Sequence, residues 1–433
     1  MTVRRAAVTP ENMQKKSALA LWCVGCGVVL SVVLGVRVKR SEEAGELQAR
    51  ALRLLYPPVS EVASLRDVRA REARELLEAA QEQLASDERA VLLNEARATE
   101  LYVRGEHARA KLVLAEKPSD TPQHLQLTAA IALAQGDANA ALAALDRLPA
   151  AAGDDVRTLL LRSDTARALG RGDVALATAQ RCIDAAAGVA AGYERRGLAQ
   201  ELLGRRTEAR ADLQRAAQLD RKSSSALLAL GRLAREAGAL EEAVVAFHGA
   251  AQRHPEDAEA WLGSGVSRAA LGDRTSARVD LEQAATLAPK RAEPLIALAD
   301  LDVAERDLAS ALRRYRAAIL LDPQSALARL KLGNTLLRAG AVPEAIPEFR
   351  AAIAQRPDLA AAHNGLGAAL FAQGELALAE NELKSAAQLD PRDAHPWLNL
   401  ARVYKRRGDE SAQQRALEHA RERDPQLALA DAR

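Results

Sequence analysis

Residues 360–393 read AAAHNGLGAALFAQGELALAENELKSAAQLDPRD, and the fold is decided by how this stretch is read. Leu366 and Leu370 lie one helical turn apart, and Gly374 closes that first apolar pattern. Ala379, Leu383 and Ala386 carry a second pattern, which Pro391 ends. Apolar residues at three- and four-residue spacing mark one face of a helix, and glycine and proline mark its stops. Glycine suits the left-handed residue just past a helix end because it has no Cβ to clash. Proline has no N–H and cannot continue a helix. The stretch therefore predicts helix, tight turn, helix, break.

Moving the frame by 34 residues finds the same marks. The turn position holds Gly136, Gly170, Gly204, Gly238, Gly272, Arg306, Gly340, Gly374 and Gly408. Five residues on, alanine stands at 141, 175, 209, 243, 277, 311, 345 and 379, and Gln413 departs. The closing position holds Pro255, Pro289, Pro323, Pro357, Pro391 and Pro425, with Ala187 and Arg221 in earlier copies. Nine full units span 122–427, and a shortened tenth covers 91–121 with Gly105, Ala110, Leu114 and Pro118. One helical pair cannot bury its apolar side alone, so neighbouring pairs must stack and share a core. Departures from the pattern fall at Ser264, where leucine is usual, at Arg306, and at Pro343 and Pro347 early in a second helix. Pro343 suits a first turn, whereas Pro347 removes a hydrogen bond and is expected to bend its helix.

Period, small residues and proline together resemble the tetratricopeptide repeat (TPR) family. Position 4 of the unit carries Tyr193, Trp261 and Trp397, and position 8 carries Gly197, Gly231, Gly265, Gly333 and Gly367. The resemblance implies an all-α superhelical solenoid of nine to ten helix-turn-helix repeats. It also implies that positions 2, 5, 9 and 12 of each first helix line a partner-binding groove. Carried onto this chain, those positions supply Asn334, Leu337, Asn364, Phe371, His395, Leu398, Arg402 and Lys405. Phe371 stands out because most other aromatic residues fall on packing positions. Two amides can bond an extended peptide backbone, and Arg402 with Lys405 suits a carboxylate. The family's carboxylate clamp is echoed at Asn334 only, since Leu330 stands where its first lysine belongs.

Composition narrows the function. The chain has 433 residues, 48% apolar and 3% aromatic, so packing relies on alanine and leucine, as in helices. A repeat array grows without founding a new core, so this length does not require several globular domains. A net charge of +2 supplies no field for nucleic acid, and no nucleic-acid partner is expected. The excess of arginine over lysine is the compositional mark of a GC-rich bacterial genome. Three cysteines, Cys23, Cys26 and Cys182, offer no disulfide framework. The CxxC pair lies inside an apolar run and reads as small helix residues, and Cys182 reads as a packed thiol at a seam. The seven histidines are scattered without a metal-ligand spacing. Gly263-Ser264-Gly265 lacks the third glycine and the preceding strand of a phosphate loop. No enzyme activity, metal or cofactor is expected.

The N-terminal end reads differently. Residues 1–16 form a basic tail, and Ser17–Val36 contains no charged residue. Twenty residues at about 1.5 Å each match a hydrocarbon core of roughly 30 Å, which predicts a transmembrane helix. A cleaved signal peptide is the competing reading, but the run is long and no small-x-small site precedes a polar start. Cys23, Gly27, Ser31 and Gly35 recur every four residues and make a small-residue strip for packing against another membrane helix, a second copy or a partner's. The flanking charges favour an N-terminus inside, a single pass through the inner (plasma) membrane and an array outside the cytoplasm. Residues 37–90 are expected as a helical linker or a degenerate first layer, 91–427 as the array and 428–433 as a tail. The chain then reads as a membrane-anchored scaffold for a peptide or protein partner. The alternative is a structural component of a cell-envelope machine, such as a secretion, pilus or cell-wall apparatus, that acts mainly by self-association.

Overall fold

The computed structural model describes residues 86–424. The expected basic tail, the span with its strip of Cys23, Gly27, Ser31 and Gly35, most of the linker and the C-terminal tail lie outside the described residues. Among the described residues no helix is long and apolar enough to cross a membrane.

The described residues form twenty α-helices and no strand. They divide into two compact units that meet at His254 and Pro255. The first unit contains α1 (Ser86–Val103), α2 (His107–Glu116), α3 (Pro122–Ala134), α4 (Ala138–Asp146), α5 (Val156–Ala168), α6 (Gly172–Ala185), α7 (Ala190–Leu202), α8 (Arg206–Leu219), α9 (Ser225–Glu236) and α10 (Leu240–Arg253). The second contains α11 (Ala258–Leu271), α12 (Arg274–Leu287), α13 (Glu293–Ala304), α14 (Leu308–Leu321), α15 (Ala326–Arg338), α16 (Val342–Gln355), α17 (Ala360–Gln373), α18 (Leu376–Leu389), α19 (His395–Arg407) and α20 (Glu410–Arg423). The odd-numbered helices are the first members of the pairs. Helix α1 begins at Ser86 and so crosses the boundary expected at residue 90. A 3-10 turn at Ala150–Ala152 precedes α5.

The turn inside each pair follows one design. The glycines at 105, 136, 170, 204, 238, 272, 340, 374 and 408 all have positive φ, between 71° and 92°. At Gly374 the N–H bonds to Phe371 O, and the next N–H, of Glu375, reaches back to Leu370 O at 2.9 Å. This satisfies carbonyls that the helix end would otherwise orphan. Arg306 keeps the same turn with φ 65°, and Asp307 N bonds Asp302 O at 2.9 Å. Packing on both sides therefore imposes a conformation that the residue itself disfavours.

The seam alanines at 141, 175, 209, 243, 277, 311, 345 and 379 are all fully buried. Opposite them, the position-8 glycine of the first helix receives the position-24 side chain of the second. A Cβ on Gly367 would lie 2.6 Å from Leu383 Cγ, and one on Gly333 would lie 2.8 Å from Phe349 Cε1. Phe349 also fills the space beside Gly365 of the next repeat, where a Cβ would come within 2.4 Å of it. Within each unit, consecutive helices pack together, and several first helices also touch the first helix of the next pair. The second unit holds one continuous apolar cluster from Ala292 to Ala416, built round Tyr315, Phe349, Leu366 and Leu383. The first unit is divided into smaller clusters.

The departures resolve individually. Ser264 is buried and donates to Asp280 Oδ2 at 2.6 Å, and Arg268 Nε lies 3.2 Å from the same oxygen. A polar pair thus replaces the missing leucine contact. Asp212, also buried, accepts from Arg196 in bidentate fashion at 2.6 and 2.5 Å. Helix α16 continues through Pro347 to Gln355. Cys182 is fully buried, and burial pushes its thiol up to about 11, which suits a packed side chain rather than a nucleophile.

The repeat-closing prolines do more than end helices. The carbonyl of Pro255 accepts from Trp261 Nε1 at 2.9 Å, that of Pro323 from Arg329 Nη2 at 3.2 Å, and that of Pro357 lies 3.1 Å from His363 Nε2. A position-4 side chain six residues on thus ties each loop to the next first helix. At Pro391 the carbonyl instead accepts from Arg423 Nε at 2.7 Å, and that guanidinium stacks 5.2 Å from the Trp397 ring centre.

Candidate functional site

Helices α15, α17 and α19 of the second unit lie side by side, with α17 touching both neighbours. Their shared face carries the residues expected to meet a partner. Asn334 is exposed, and Leu337 is half-buried against the core. Asn364 is half-buried, and its Oδ1 accepts from Asn399 Nδ2 at 2.9 Å. Asn399 Oδ1 in turn accepts from Arg402 Nη1 at 3.2 Å. Phe371 is half-buried, and the Arg406 guanidinium lies over its ring at 5.8 Å from the centre. Lys405 is exposed. The structure thus links Asn364 to Arg402 through Asn399, and sets Arg406 over Phe371.

Two expected members stand apart. Leu398 is only 5% exposed and packs with Ala420, Leu417 and Trp397, so its side chain belongs to the interior of the last pair and not to an open surface. The final second helix draws it inward because it is the apolar side chain available at that point. His395 is exposed, but its Nδ1 sits 2.7 Å from Asp393 Oδ1, and its backbone N–H donates to the same oxygen at 2.9 Å. Asp393 thus holds both the ring and the backbone of the first residue of α19.

Asn399 and Arg406 were not expected. Their signal is an offset of 35, one repeat plus one residue, which joins Asn364 to Asn399 and Phe371 to Arg406. A second offset, 31, joins position 9 to position 6 of the next repeat. Lys331 Nζ holds Asp300 at 2.8 Å, and in the first unit Arg195 Nε holds Asp164 at 3.1 Å. In that unit Glu194 also accepts from Ser225 Oγ at 2.9 Å. Stacked first helices bring these positions opposite each other, so much of the face is already engaged in its own ion pairs. Asp300 receives the Tyr315 hydroxyl as well, and burial raises the pKa of that phenol. On the first unit's face, burial and then the nearby charge of Glu236 raise the pKa of Glu201.

The last turn of α19 is basic. Lys405, Arg406 and Arg407 fill the last turn of α19, where cations complement the helix dipole. Arg407 is bound by Glu380, whose carboxyl the Lys384 ammonium, the Tyr404 hydroxyl and Arg407 hold below the usual range. Neither α17 nor α19 contains an acidic residue. Among the described residues no group of three or more metal-ligating side chains converges.

The tetratricopeptide repeat family model matches residues 228–292, 296–360 and 343–394. That match and the fold together support a tetratricopeptide-repeat protein. Among solved structures, the chain is similar to the Cut9–Hcn1 hetero-tetramer of the APC/C, at 15% identity over 83% of this chain and 81% of that one, with a TM-score of 0.51. It is also similar to a tetratricopeptide repeat protein from Parabacteroides merdae, at 16% identity over 60% and 98% of the two chains, TM-score 0.47. A third is YrrB, described as a TPR protein with an unusual peptide-binding site, at 19% identity over 42% and 96%, TM-score 0.36. These likenesses concern the fold. No curated protein matches the chain in sequence.

Proposed function

We propose that the chain is a membrane-anchored scaffold that receives a protein or peptide partner on the first-helix face of its second unit. Tetratricopeptide repeats mediate protein–protein interaction, and that much follows from the repeats themselves. The observation behind the reading is Phe371, a half-buried ring beneath the Arg406 guanidinium at a repeat position expected to line the groove. A half-buried ring beside an exposed arginine is the composition of an interaction hot spot. The anchor reading rests on the uncharged run Ser17–Val36 and places the array outside the cytoplasm.

The test is capture of the partner from detergent-solubilised membranes by the full chain and by the double variant Phe371→Ala, Arg402→Glu. Loss of one stoichiometric foreign partner, with helicity and melting unchanged, supports the reading. Undiminished capture by the double variant rejects this face. Recovery of the chain alone favours the structural, self-associating alternative.

A further inference from the structure

We infer that the segment received on this face is acidic and is held through side-chain carboxylates spread along its length. The inference rests on the reading of this face as the partner site and names the partner's chemistry. The donors are distributed rather than convergent. Arg402, Lys405 and Arg406 are all exposed and span one turn of α19, about 6 Å along its axis. Arg338 is exposed at the end of α15, at the same repeat position as Arg406.

Two amide acceptors on this face, Asn364 and Asn399, are engaged internally. Asn364 Oδ1 takes the Asn399 amide, and Asn399 Oδ1 takes Arg402, so the Asn364 amide has N–H groups left to offer. The neighbouring carboxylates serve other groups. Asp300 binds Lys331 and Tyr315, Glu380 binds Lys384, Tyr404 and Arg407, and Asp393 binds His395. Neither α17 nor α19 carries an acidic residue, so no carboxylate of either helix stands beside Lys405 or Arg406. A surface of donors and cations beside an apolar ring complements a segment in which aspartates or glutamates alternate with an apolar residue.

The experiment measures fluorescence anisotropy of short labelled peptides with amidated C-termini against the full chain in detergent. One peptide alternates glutamate with leucine, and its counterpart has glutamine for glutamate. The glutamate peptide is expected to bind, to weaken with added salt, and to lose at least about tenfold in affinity on Lys405→Glu with Arg406→Glu, because like charges then face each other. The glutamine peptide is expected to bind at least about tenfold more weakly. Failure of the glutamate peptide to bind, equal binding of both peptides, or indifference to the charge reversal overturns the proposal. Equal binding that Phe371→Ala abolishes removes the acidic partner but leaves the face. Partner capture that survives Phe371→Ala with Arg402→Glu removes the face itself.

Discussion

At the scale of single residues, the fold depends on where side chains are missing. Gly365 lies where a Cβ would come within 2.4 Å of the Phe349 ring, and Phe349 is fully buried. Gly365→Ala should destabilise the chain by about 1–3 kcal/mol, because the ring has no empty space to enter. Adding Phe349→Leu should recover part of that loss in a double-mutant cycle followed by thermal melting, since the two sites share one contact. Strict additivity would show that the ring does not seat on Gly365. The opposite sign is expected at Arg306, which holds φ 65° where every equivalent turn has glycine. An L-residue there costs about 1–2 kcal/mol, so Arg306→Gly should raise stability by roughly 1 kcal/mol after the extra entropy of the unfolded glycine. A drop in melting temperature would mean that the arginine side chain contributes more than its backbone costs.

At the scale of the element, four of the described second helices are started by an aspartate cap, at 137, 273, 307 and 409. Asp273 accepts from Ser276 N at 3.2 Å, Asp307 from Ser310 N at 3.0 Å and Asp409 from Ala412 N at 2.9 Å. Hydrogen bonds from Ser276, from Ser310 and from the Ala412 N–H hold these three carboxyls below the usual value of 3.8. A depressed folded pKa means that the contribution is complete above the unfolded value and is lost as pH falls through the folded one. The melting temperature should therefore fall as the solution is acidified through the carboxylate range. In the triple variant with asparagine at 273, 307 and 409 it should fall less, because asparagine keeps the cap without titrating. Identical acid profiles would assign the acid sensitivity to other carboxylates. The buried Asp280 and Asp212, each with its own arginine, are the first to consider.

At the scale of the whole molecule, the two units differ in how their interiors are connected. One large cluster runs from Ala292 to Ala416 in the second unit, beside smaller ones round Leu281 and Leu398, whereas the described interior of the first unit is divided into small groups only. In a repeat array stability is the sum of each repeat and its interfaces, so continuous burial should translate into slower opening. Native-state hydrogen exchange should find its slowest amides in α14 to α18 and faster exchange through α5 to α9. Uniform protection across both units would contradict this ordering.

The 34-residue period, the turn glycines and the seam alanines were legible in the chain because each obeys a local rule. A left-handed turn needs glycine, a close helix approach needs a small residue, and a proline ends a helix wherever it stands. Local rules also placed Phe371, since repeat position alone sets the face on which a side chain lies. They did not place Leu398, because whether an apolar side chain turns inward depends on the Ala420 and Leu417 that α20 brings against it. Nor did they supply Asn399, Arg406 or the Pro391–Arg423 bond, whose partners lie 32 to 35 residues away. Those contacts exist only once neighbouring pairs have stacked in a particular register. Helix formation is written along the chain, but the register between helices is set by the packing of Phe349 against Gly333 and Gly365, and of its counterparts, in three dimensions.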